Sequence, residues 1–497
     1  MRGSDDQMIA GGRRRNLRPI ACLVFHLLIF SSSDHLIAQA PYVPPSDPAV
    51  KEKLTAWQDL KFGLLMHWGP YSQWGVVESW SICPEDEGWC RRDSSHGKTY
   101  AEYVHNYEAL QTTFDPVKFD PSKWARAAKE AGMKYVVFTT KHHDGFCMFD
   151  TKTTDYRITA PKTPFHDDPR ANVTKHIFDA FRKEGLWTGA YFSKPDWHSP
   201  DYWWPYFPPK DRSVNYLPKK HPERWQAFKD YTYTQIEELM TGYGPVDILW
   251  LDGGWVRPLS SIDTSVSWQK AITIEQDIDM ARIATMARGH QPGLLVVDRT
   301  VGGEYENYVT PEGHVPDADL GVPWETCMPM GTSWSWVPNE KYKSTDEIIR
   351  TLVKVVSRGG SLLLNVAPGP DGQLDSTAIV RLKEVGEWLK VNGEAVYGTR
   401  ASAQLALSGV LGRTHTWRMG EPRTTYIFLD PRVVGSGTVT VPFSDSAYGE
   451  KVSCLGSLGK VRYARTPEGL TLRLPGSAKK IDMLPLVVKV TCLLSEF

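Results

Sequence analysis

The chain has 497 residues, which is long for one ordinary core and predicts one large domain with a smaller one. Hydrophobic residues make up 41% and charged residues 23%, the composition of an ordinary soluble globular protein. The formal net charge of −1 gives no electrostatic reason to expect nucleic acid or an anionic membrane as a partner.

Residues 1–40 have the layout of a secretory signal peptide. Basic residues Arg13, Arg14 and Arg15 precede an apolar run over 20–30, and Ala38-Gln39-Ala40 forms a small-residue cleavage site. The run is about half the roughly 20 residues that a membrane-spanning helix needs. We therefore expect an exported mature chain that starts near Pro41 and has no membrane attachment. Its destination would be the periplasm or the exterior, or the lysosome in a eukaryote; an uncleaved anchor is the alternative.

Short apolar runs recur after the signal region, and helix-like stretches separate several of them. The runs cover residues 62–66, 135–139, 186–192, 246–251, 294–297 and 361–366. The helical stretches cover residues 121–131, 174–184, 226–240 and 345–357. Alternating strands and helices predict a parallel α/β architecture, and continuous apolar strands fit a parallel sheet buried on both faces.

Distinctive polar residues follow five of these runs. The motifs are HWG from His67, KHHDG from Lys141, KPDWH from Lys194, DGGW from Asp252 and DR from Asp298. In a (β/α)₈ barrel the carboxyl ends of all strands meet at one mouth, whereas an open doubly wound sheet concentrates its chemistry at one switch point. Five such strand ends favour a closed barrel over residues 41–398.

The last hundred residues have a different character. Segments 424–429 and 437–441 are short and rich in β-branched residues, with turn signals between them. They predict a small all-β domain over residues 399–497, with its boundary at Tyr397-Gly398.

Two strand-end motifs carry side chains with chemistry. Asp252 can present its carboxylate to a pocket, although an aspartate at this place can also cap the next helix. His142 and His143 can ligate a metal or bind sugar hydroxyls; no third ligand lies nearby in the sequence, and the HExxH pattern is absent. Cys83 and Cys90 are close enough in sequence to form a small disulfide loop in an oxidising compartment.

A third region, residues 298–336, is rich in carboxylates. It contains Glu304, Glu306, Glu312 and Glu325. Glycoside hydrolysis needs two carboxyl groups that flank the scissile bond, of which one stays protonated and the other ionised. All four glutamates are candidates for the acid, although most carboxylates in loops are simply solvated.

Five segments, taken together and in order, closely resemble the glycoside hydrolase family 29 α-L-fucosidases. They are FGLLMHWGPYSQWG, AGMKYVVFTTKHHDGFCMFDTKTTDY, YGPVDILWLDGGW, PWETCMPMGTSWSW and GGSLLLNVAPGPDG. The resemblance covers about residues 57–398. It implies a (β/α)₈ barrel followed by a β-sandwich, a retaining double displacement on terminal α-L-fucosyl residues of oligosaccharides or glycoconjugates, and no metal or cofactor.

The resemblance also implies roles for individual residues. Asp252 matches the family's nucleophile, and His67, Trp80, His142, His143, Trp250 and Arg299 match its fucose-binding residues. The chain reads Glu78-Ser79-Trp80 where family members often have Glu-Trp, which puts the match of Glu78 in doubt.

The acid/base is harder to place because its surroundings vary within the family. Glu312 follows Arg299 by thirteen residues, as the acid/base does in some members. Glu325 is the second choice and is expected to support the site, and Glu304 and Glu306 stay as alternatives. Competing interpretations of the chain are a galactosidase of the same fold, a silent carbohydrate-binding protein and, more distantly, a metal-dependent hydrolase.

Overall fold

The computed structural model describes residues 42–85, 90–402, 407–416, 422–434, 437–443, 449–456, 460–474 and 484–492. The predicted signal peptide and its cleavage site lie outside these residues, so both stay predictions. Within the described residues, no helix has the length and apolar character needed to span a bilayer.

The centre of the fold is a parallel sheet of seven strands in the order β5-β4-β3-β2-β1-β7-β6. The strands are β1 Phe62–Met66, β2 Tyr135–Lys141, β3 Trp187–Ser193, β4 Ile248–Asp252, β5 Leu295–Asp298, β6 Glu325–Pro329 and β7 Ser361–Asn365. β1, β2, β5 and β7 are buried along their whole length, because helices cover the outer face and side chains fill the inner one.

Six of the seven strands coincide with the predicted apolar runs, but β6 was missed. It begins with the buried Glu325, so its residues ETCMP do not form an apolar run. The sequence suggested that the carboxylate-rich region is one long loop. It is not, because its last glutamate, Glu325, lies on β6.

The eighth strand of the expected barrel is not present as a regular strand in the described chain. Instead, residues 305–313 run between β5 and β6 and hydrogen bond to both. The Asn307 N–H donates to the Val296 carbonyl, while the Glu325 N–H donates to the Val309 carbonyl. Pro311 lacks an N–H donor, which limits the regular pairing of this segment.

Helices follow most strands of the parallel sheet and pack outside it. The helices of the described residues are α1 Pro48–Leu60, α2 Tyr100–Glu108, α3 Pro121–Glu130, α4 Val173–Lys183, α5 Pro222–Gly242, α6 Ser267–Lys270, α7 Met280–His290, α8 Thr345–Ser357, α9 Ser376–Asn392 and α10 Pro431–Val434. Their starts follow ordinary capping chemistry: Asp120 caps α3, and Ser344 forms a capping box with Glu347 on α8. The predicted helices therefore exist, with ends that differ by a few residues.

Helix α1 closes the sheet at the amino ends of its strands. Trp57 is fully buried and stacks on Tyr308, with ring centroids 3.9 Å apart. Lys53 forms an ion pair of 2.5 Å with Asp247, which directly precedes β4. The inner core above α1 consists of inward side chains from several strands, among them Leu65, Val137, Tyr191, Ile248, Val297 and Leu363. The carboxyl ends of the strands therefore form the accessible mouth.

The C-terminal region contains two antiparallel sheets, in the orders β12-β15-β10-β9-β8 and β11-β14-β13. Their strands are β8 Arg400–Ala401, β9 Val410–Thr416, β10 Thr424–Leu429, β11 Thr438–Val441, β12 Glu450–Cys454, β13 Arg462–Thr466, β14 Gly469–Arg473 and β15 Leu486–Cys492. A separate apolar cluster that includes Ile427, Leu470 and Val488 is their core. The all-β character is thus confirmed, whereas the boundary at residue 398 stays a prediction, because α8 packs directly on β9.

Candidate active site

Asp252 is the last residue of β4 and points its carboxylate into the mouth of the sheet. The chain turns sharply after it, at Gly253, whose φ is +90°. A Cβ on Gly253 would lie 2.3 Å from the Pro195 ring, so both the conformation and the space require glycine. The turn directs the Gly253 N–H onto Asp252 Oδ1, at 2.8 Å.

Three further groups surround the Asp252 carboxylate. Arg299 Nη1 donates to Oδ1 at 2.8 Å, and the Tyr191 hydroxyl donates to Oδ2 at 2.7 Å. His143 Nε2 lies 3.9 Å from Oδ2. Burial alone would raise the pKa of Asp252, but Arg299, His143 and Tyr191 outweigh it, and the pKa lies well below its ordinary value. The group is therefore an ionised carboxylate at neutral pH, as a nucleophile must be.

Arg299 joins Asp252 to the second predicted carboxylate. Its Nη2 donates to Glu312 Oε2 at 2.6 Å, while its Nε donates to the Thr310 hydroxyl at 3.1 Å. The guanidinium also lies over the Trp250 ring, 4.5 Å from the centroid. The Glu312 side chain is 49% exposed and that of Asp252 is 18% exposed. Glu312 therefore lies on the solvent side of the pair.

The other three candidate acids occupy different environments. Glu325 is fully buried; it accepts from the Tyr135 hydroxyl at 2.5 Å and from Trp250 Nε1 at 3.1 Å. Burial raises the pKa of Glu325 to about 7. Glu306 is buried and accepts from the Thr300 N–H, and Glu304 is exposed. Among the hydrogen bonds of the described residues, Glu312 alone of the four binds the guanidinium that holds Asp252.

Three buried histidines, His67, His142 and His143, line the same mouth. Asn365 Oδ1 lies 2.9 Å from His67 Nδ1, and the Ser79 hydroxyl lies 2.5 Å from His142 Nδ1. Burial lowers the pKa of His67 to about 4 and that of His143 to about 3, and it also lowers the pKa of His142. The rings are therefore neutral at pH 7, so each has one nitrogen that donates and one that accepts.

Aromatic rings form the wall beside His143. Trp80, Trp197 and Trp255 have ring centroids 5.3, 5.1 and 5.2 Å from that of His143. The Arg212 guanidinium lies over Trp80, 4.8 Å from the centroid. Flat apolar rings beside polar donors suit a sugar, which presents an apolar face and a rim of hydroxyls.

Glu78, whose match to the family was in doubt, lies close to this site. It is buried, and its Oε1 accepts from the Ser335 N–H at 2.7 Å. Burial, helped by the charges of Glu312 and Asp252 and opposed by the hydrogen bond from Ser335, raises the pKa of Glu78 to about 8. Ser79, the residue inserted between Glu78 and Trp80, contacts His142. The insertion therefore adds a contact to the site and does not disrupt it.

The structure brings together every residue predicted for the site and adds some that the sequence did not single out. Tyr191, Ser79 and Asn365 contact Asp252, His142 and His67. Tyr191 lies inside an apolar run, where a hydroxyl gives no signal of its own. No third ligand lies near the two histidines in the sequence, but in the fold one ligand atom each of His142, His143 and Asp252 lie within 4.8 Å of one another.

The disulfide that the spacing of Cys83 and Cys90 allows is not formed in this structure. Cys83 carries a free thiol, which lies 3.5 Å from Glu85 Oε2 and donates to it.

Comparison with known proteins agrees with this geometry. A family model described as "Alpha-L-fucosidase" matches residues 29–394. Human "Tissue alpha-L-fucosidase" is 28% identical over 92% of this chain and 94% of its own. The structure of alpha-L-fucosidase isoenzyme 1 from Paenibacillus thiaminolyticus is 28% identical with a TM-score of 0.70, and it covers 89% of this chain and 99% of its own.

A Thermotoga maritima alpha-fucosidase, solved in complex with fucose, is also similar. It is 26% identical with a TM-score of 0.65 and covers 88% of this chain and 96% of its own. The family model spans well over half of the chain, and the curated and structural relatives carry the same activity in their names. The chain is a glycoside hydrolase that belongs to the family 29 α-L-fucosidases.

Proposed function

We propose that this enzyme is a retaining exo-α-L-fucosidase, which removes terminal α-L-fucosyl residues from oligosaccharides or glycoconjugates through a covalent intermediate on Asp252. The observation that carries the proposal is that Arg299 forms ion pairs with both Asp252 and Glu312. A retaining glycosidase needs two carboxyl groups about 5–5.5 Å apart. Two carboxylates bound to the two terminal nitrogens of one guanidinium are held near each other in this way.

In the first step, an Asp252 oxygen attacks the anomeric carbon of the fucosyl residue. The bond from that carbon to the aglycone oxygen breaks as Glu312 donates a proton to this oxygen. The aglycone leaves as an alcohol, and the sugar stays as an ester of Asp252. The partial exposure of Glu312 supports its role, because the leaving oxygen must be on the solvent side.

In the second step, Glu312 accepts a proton from water, whose oxygen attacks the same carbon. The ester bond to Asp252 breaks, and fucose leaves with its original anomeric configuration. His67, His142, His143 and Arg299 bind the ring hydroxyls, while Trp80 and Trp250 contact apolar parts of the sugar. The neutral state of the histidines supports this assignment, because neutral rings can both donate to and accept from hydroxyls.

The proposal includes a fold and a place of action. Residues 41–398 form a (β/α)₈ catalytic barrel in which residues 305–313 occupy the eighth position, and residues 399–497 form a β-sandwich. The hydrogen bonds of residues 305–313 to both β5 and β6 support this closure. The enzyme acts outside the cytoplasm after its signal peptide is removed.

The decisive experiment is hydrolysis of nitrophenyl α-L-fucoside and of a nitrophenyl galactoside, with the first-formed anomer followed by NMR. We expect rapid release from the fucoside and α-L-fucose as the first product. Turnover of the galactoside alone would contradict the substrate, and an inverted first product would contradict the covalent intermediate. Binding of fucose without turnover would leave only a carbohydrate-binding protein.

A further inference from the structure

Two neighbouring histidines and the Asp252 carboxylate form a three-ligand cluster at the bottom of the mouth. One ligand atom from each of His142, His143 and Asp252 lies within 4.8 Å of the other two. The two imidazoles are buried, and the carboxylate is partly accessible from the mouth. Two imidazoles with one carboxylate and an open fourth position are the ligand set of many zinc sites.

The orientation of each ring suits metal binding. His142 Nδ1 is engaged by the Ser79 hydroxyl at 2.5 Å, which leaves Nε2 to coordinate. His143 points Nε2 towards Asp252 Oδ2 at 3.9 Å. Its Nδ1 is buried without a hydrogen-bond partner among the described residues. In tetrahedral zinc sites the ligand atoms lie about 3.4 Å apart, so a small side-chain shift would complete the geometry.

We propose that His142, His143 and Asp252 form a binding site for a divalent transition-metal ion, of which Zn²⁺ is the best fit, and that this ion closes the mouth to substrate. The metal would bind Asp252 through Oδ2, replacing the hydroxyl proton of Tyr191, while Arg299 stays on Oδ1. The ion thus acts as an inhibitor rather than as a cofactor, because it occupies the nucleophile.

The local charges permit a cation here. Arg299 and Arg212 are positive groups near the cluster, and the carboxylates of Asp252 and Glu312 balance their two charges.

The test measures metal binding directly and so does not depend on activity. Co²⁺ is added to the wild-type enzyme, and its visible absorption reports the coordination number; Zn²⁺ binding is measured by calorimetry at pH 7. We expect one ion per chain with a tetrahedral cobalt spectrum. Asp252→Asn and His143→Gln should abolish this spectrum. Ser79→Ala should weaken zinc binding by about 10-fold, because it removes the partner of a ligating imidazole.

Two matched variants separate this site from other zinc ligands. His198→Gln removes a histidine that binds Glu108 outside the cluster, and Cys83→Ser removes a buried thiol. Both should bind zinc as the wild type does. Loss of binding in either variant, unchanged binding in Asp252→Asn, or no binding at millimolar metal would overturn the proposal.

The inhibitory consequence rests on the proposed function of Asp252. Zn²⁺ should compete with nitrophenyl fucoside and raise its KM without changing kcat, and chelator should restore the rate. If the metal binds as predicted but the wild-type enzyme has no fucosidase activity, the proposed function fails and the metal site stands. If the enzyme is active but binds no metal, only the metal site fails.

Discussion

At the scale of single residues, Asp252 combines burial with strong stabilisation of its charge. Replacing it with glycine, which suits the sharp turn that follows, removes the proposed nucleophile. We expect Asp252→Gly to keep its fold and to lose activity by a factor on the order of 10³ or more. Added azide should restore part of the rate, because the small anion enters the vacated space and attacks in place of the carboxylate.

The measurement is steady-state hydrolysis of nitrophenyl fucoside, with NMR of the azide product. Circular dichroism of the variant controls for folding. Turnover close to that of the wild type without azide would exclude Asp252 as the nucleophile.

Glu312 and Glu325 differ in a way that kinetics can detect. An acid catalyst matters most when the leaving group is poor, whereas a buried supporting residue affects all substrates alike. We expect Glu312→Ala to slow a fucosyl disaccharide far more than nitrophenyl fucoside, with azide accelerating the latter. Glu325→Ala should slow both substrates by similar factors, because Glu325 reaches the site through Trp250.

Comparison of kcat/KM for both variants on both substrates decides the assignment. If the leaving-group dependence is found in Glu325→Ala, the two roles are exchanged. If it is found only in a variant of Glu304 or Glu306, the match of the loop to the family was wrong.

Glu325 also predicts a dependence of stability on pH. Its pKa is raised from 4.5 to about 7 by burial, so the folded protein keeps a proton that the unfolded chain releases above about pH 4.5. The stabilisation by this proton is complete below pH 4.5 and is lost as the pH rises through 7. Glutamine resembles the protonated acid, so Glu325→Gln lacks this dependence.

We therefore expect the variant to gain stability relative to the wild type between pH 4.5 and pH 8. The change should be on the order of 3 kcal/mol in the free energy of unfolding. Urea unfolding of both proteins at the two pH values measures it. A difference that does not vary with pH would show that folding does not raise the pKa of Glu325.

At the scale of elements, the strands could be predicted well because buried parallel strands are continuous apolar runs. β6 could not, because its first residue is the polar Glu325, whose partners Tyr135 and Trp250 come from distant strands. Residues 305–313 have no periodic pattern at all, and their place between two strands depends on hydrogen bonds that no local sequence encodes.

The site shows the same division. Asp252, Arg299 and the histidines could be predicted, since each follows an apolar run in a motif of unusual residues. The contacts between these side chains could not be predicted. Tyr191 on β3 reaches Asp252 on β4 because Ser193 and Asp252 are paired across the two strands, a register that appears only in the folded sheet.

Helix α1 supplies a prediction about stability. Trp57 is fully buried and stacked on Tyr308, so its truncation leaves a large cavity under the inner core. We expect Trp57→Ala to lower the free energy of unfolding by about 3–5 kcal/mol. Thr55→Ala on the exposed side of the same helix should change it by less than about 0.5 kcal/mol.

Urea unfolding at neutral pH compares the two variants. Equal and small effects would show that α1 is not part of the cooperative structure.

At the scale of the whole molecule, the C-terminal sheets are bound firmly to the catalytic part. Arg350 on α8 donates from Nη1 and Nη2 to the two oxygens of Asp430, at 2.8 and 3.0 Å, and both side chains are mostly buried. A Cβ on Gly412 of β9 would lie 2.2 Å from the Ser357 hydroxyl, so strand and helix touch closely. The β region therefore packs against α8 and supports it.

The N-terminal segment supplies a prediction for the entire chain. If residues 1–40 are a signal peptide, protein expressed with an export route should be processed, and sequencing of its N-terminus should begin near Pro41. The same chain expressed with residues 1–40 deleted is the control for mass and activity. An exported protein that still carries Arg13 to Arg15 would show an uncleaved anchor instead.

The position of α1 also has a consequence for the order of folding. The partners of this early helix come late in the chain: Lys53 pairs with Asp247, Trp57 stacks on Tyr308, and Arg400 binds Asp59 across 341 positions. Contacts of such long sequence separation are costly in loop-closure entropy, so they form after local ones. The helix should therefore dock late, when β4 and residues 305–313 are already assembled. Weakening its contacts would then speed unfolding far more than it slows folding.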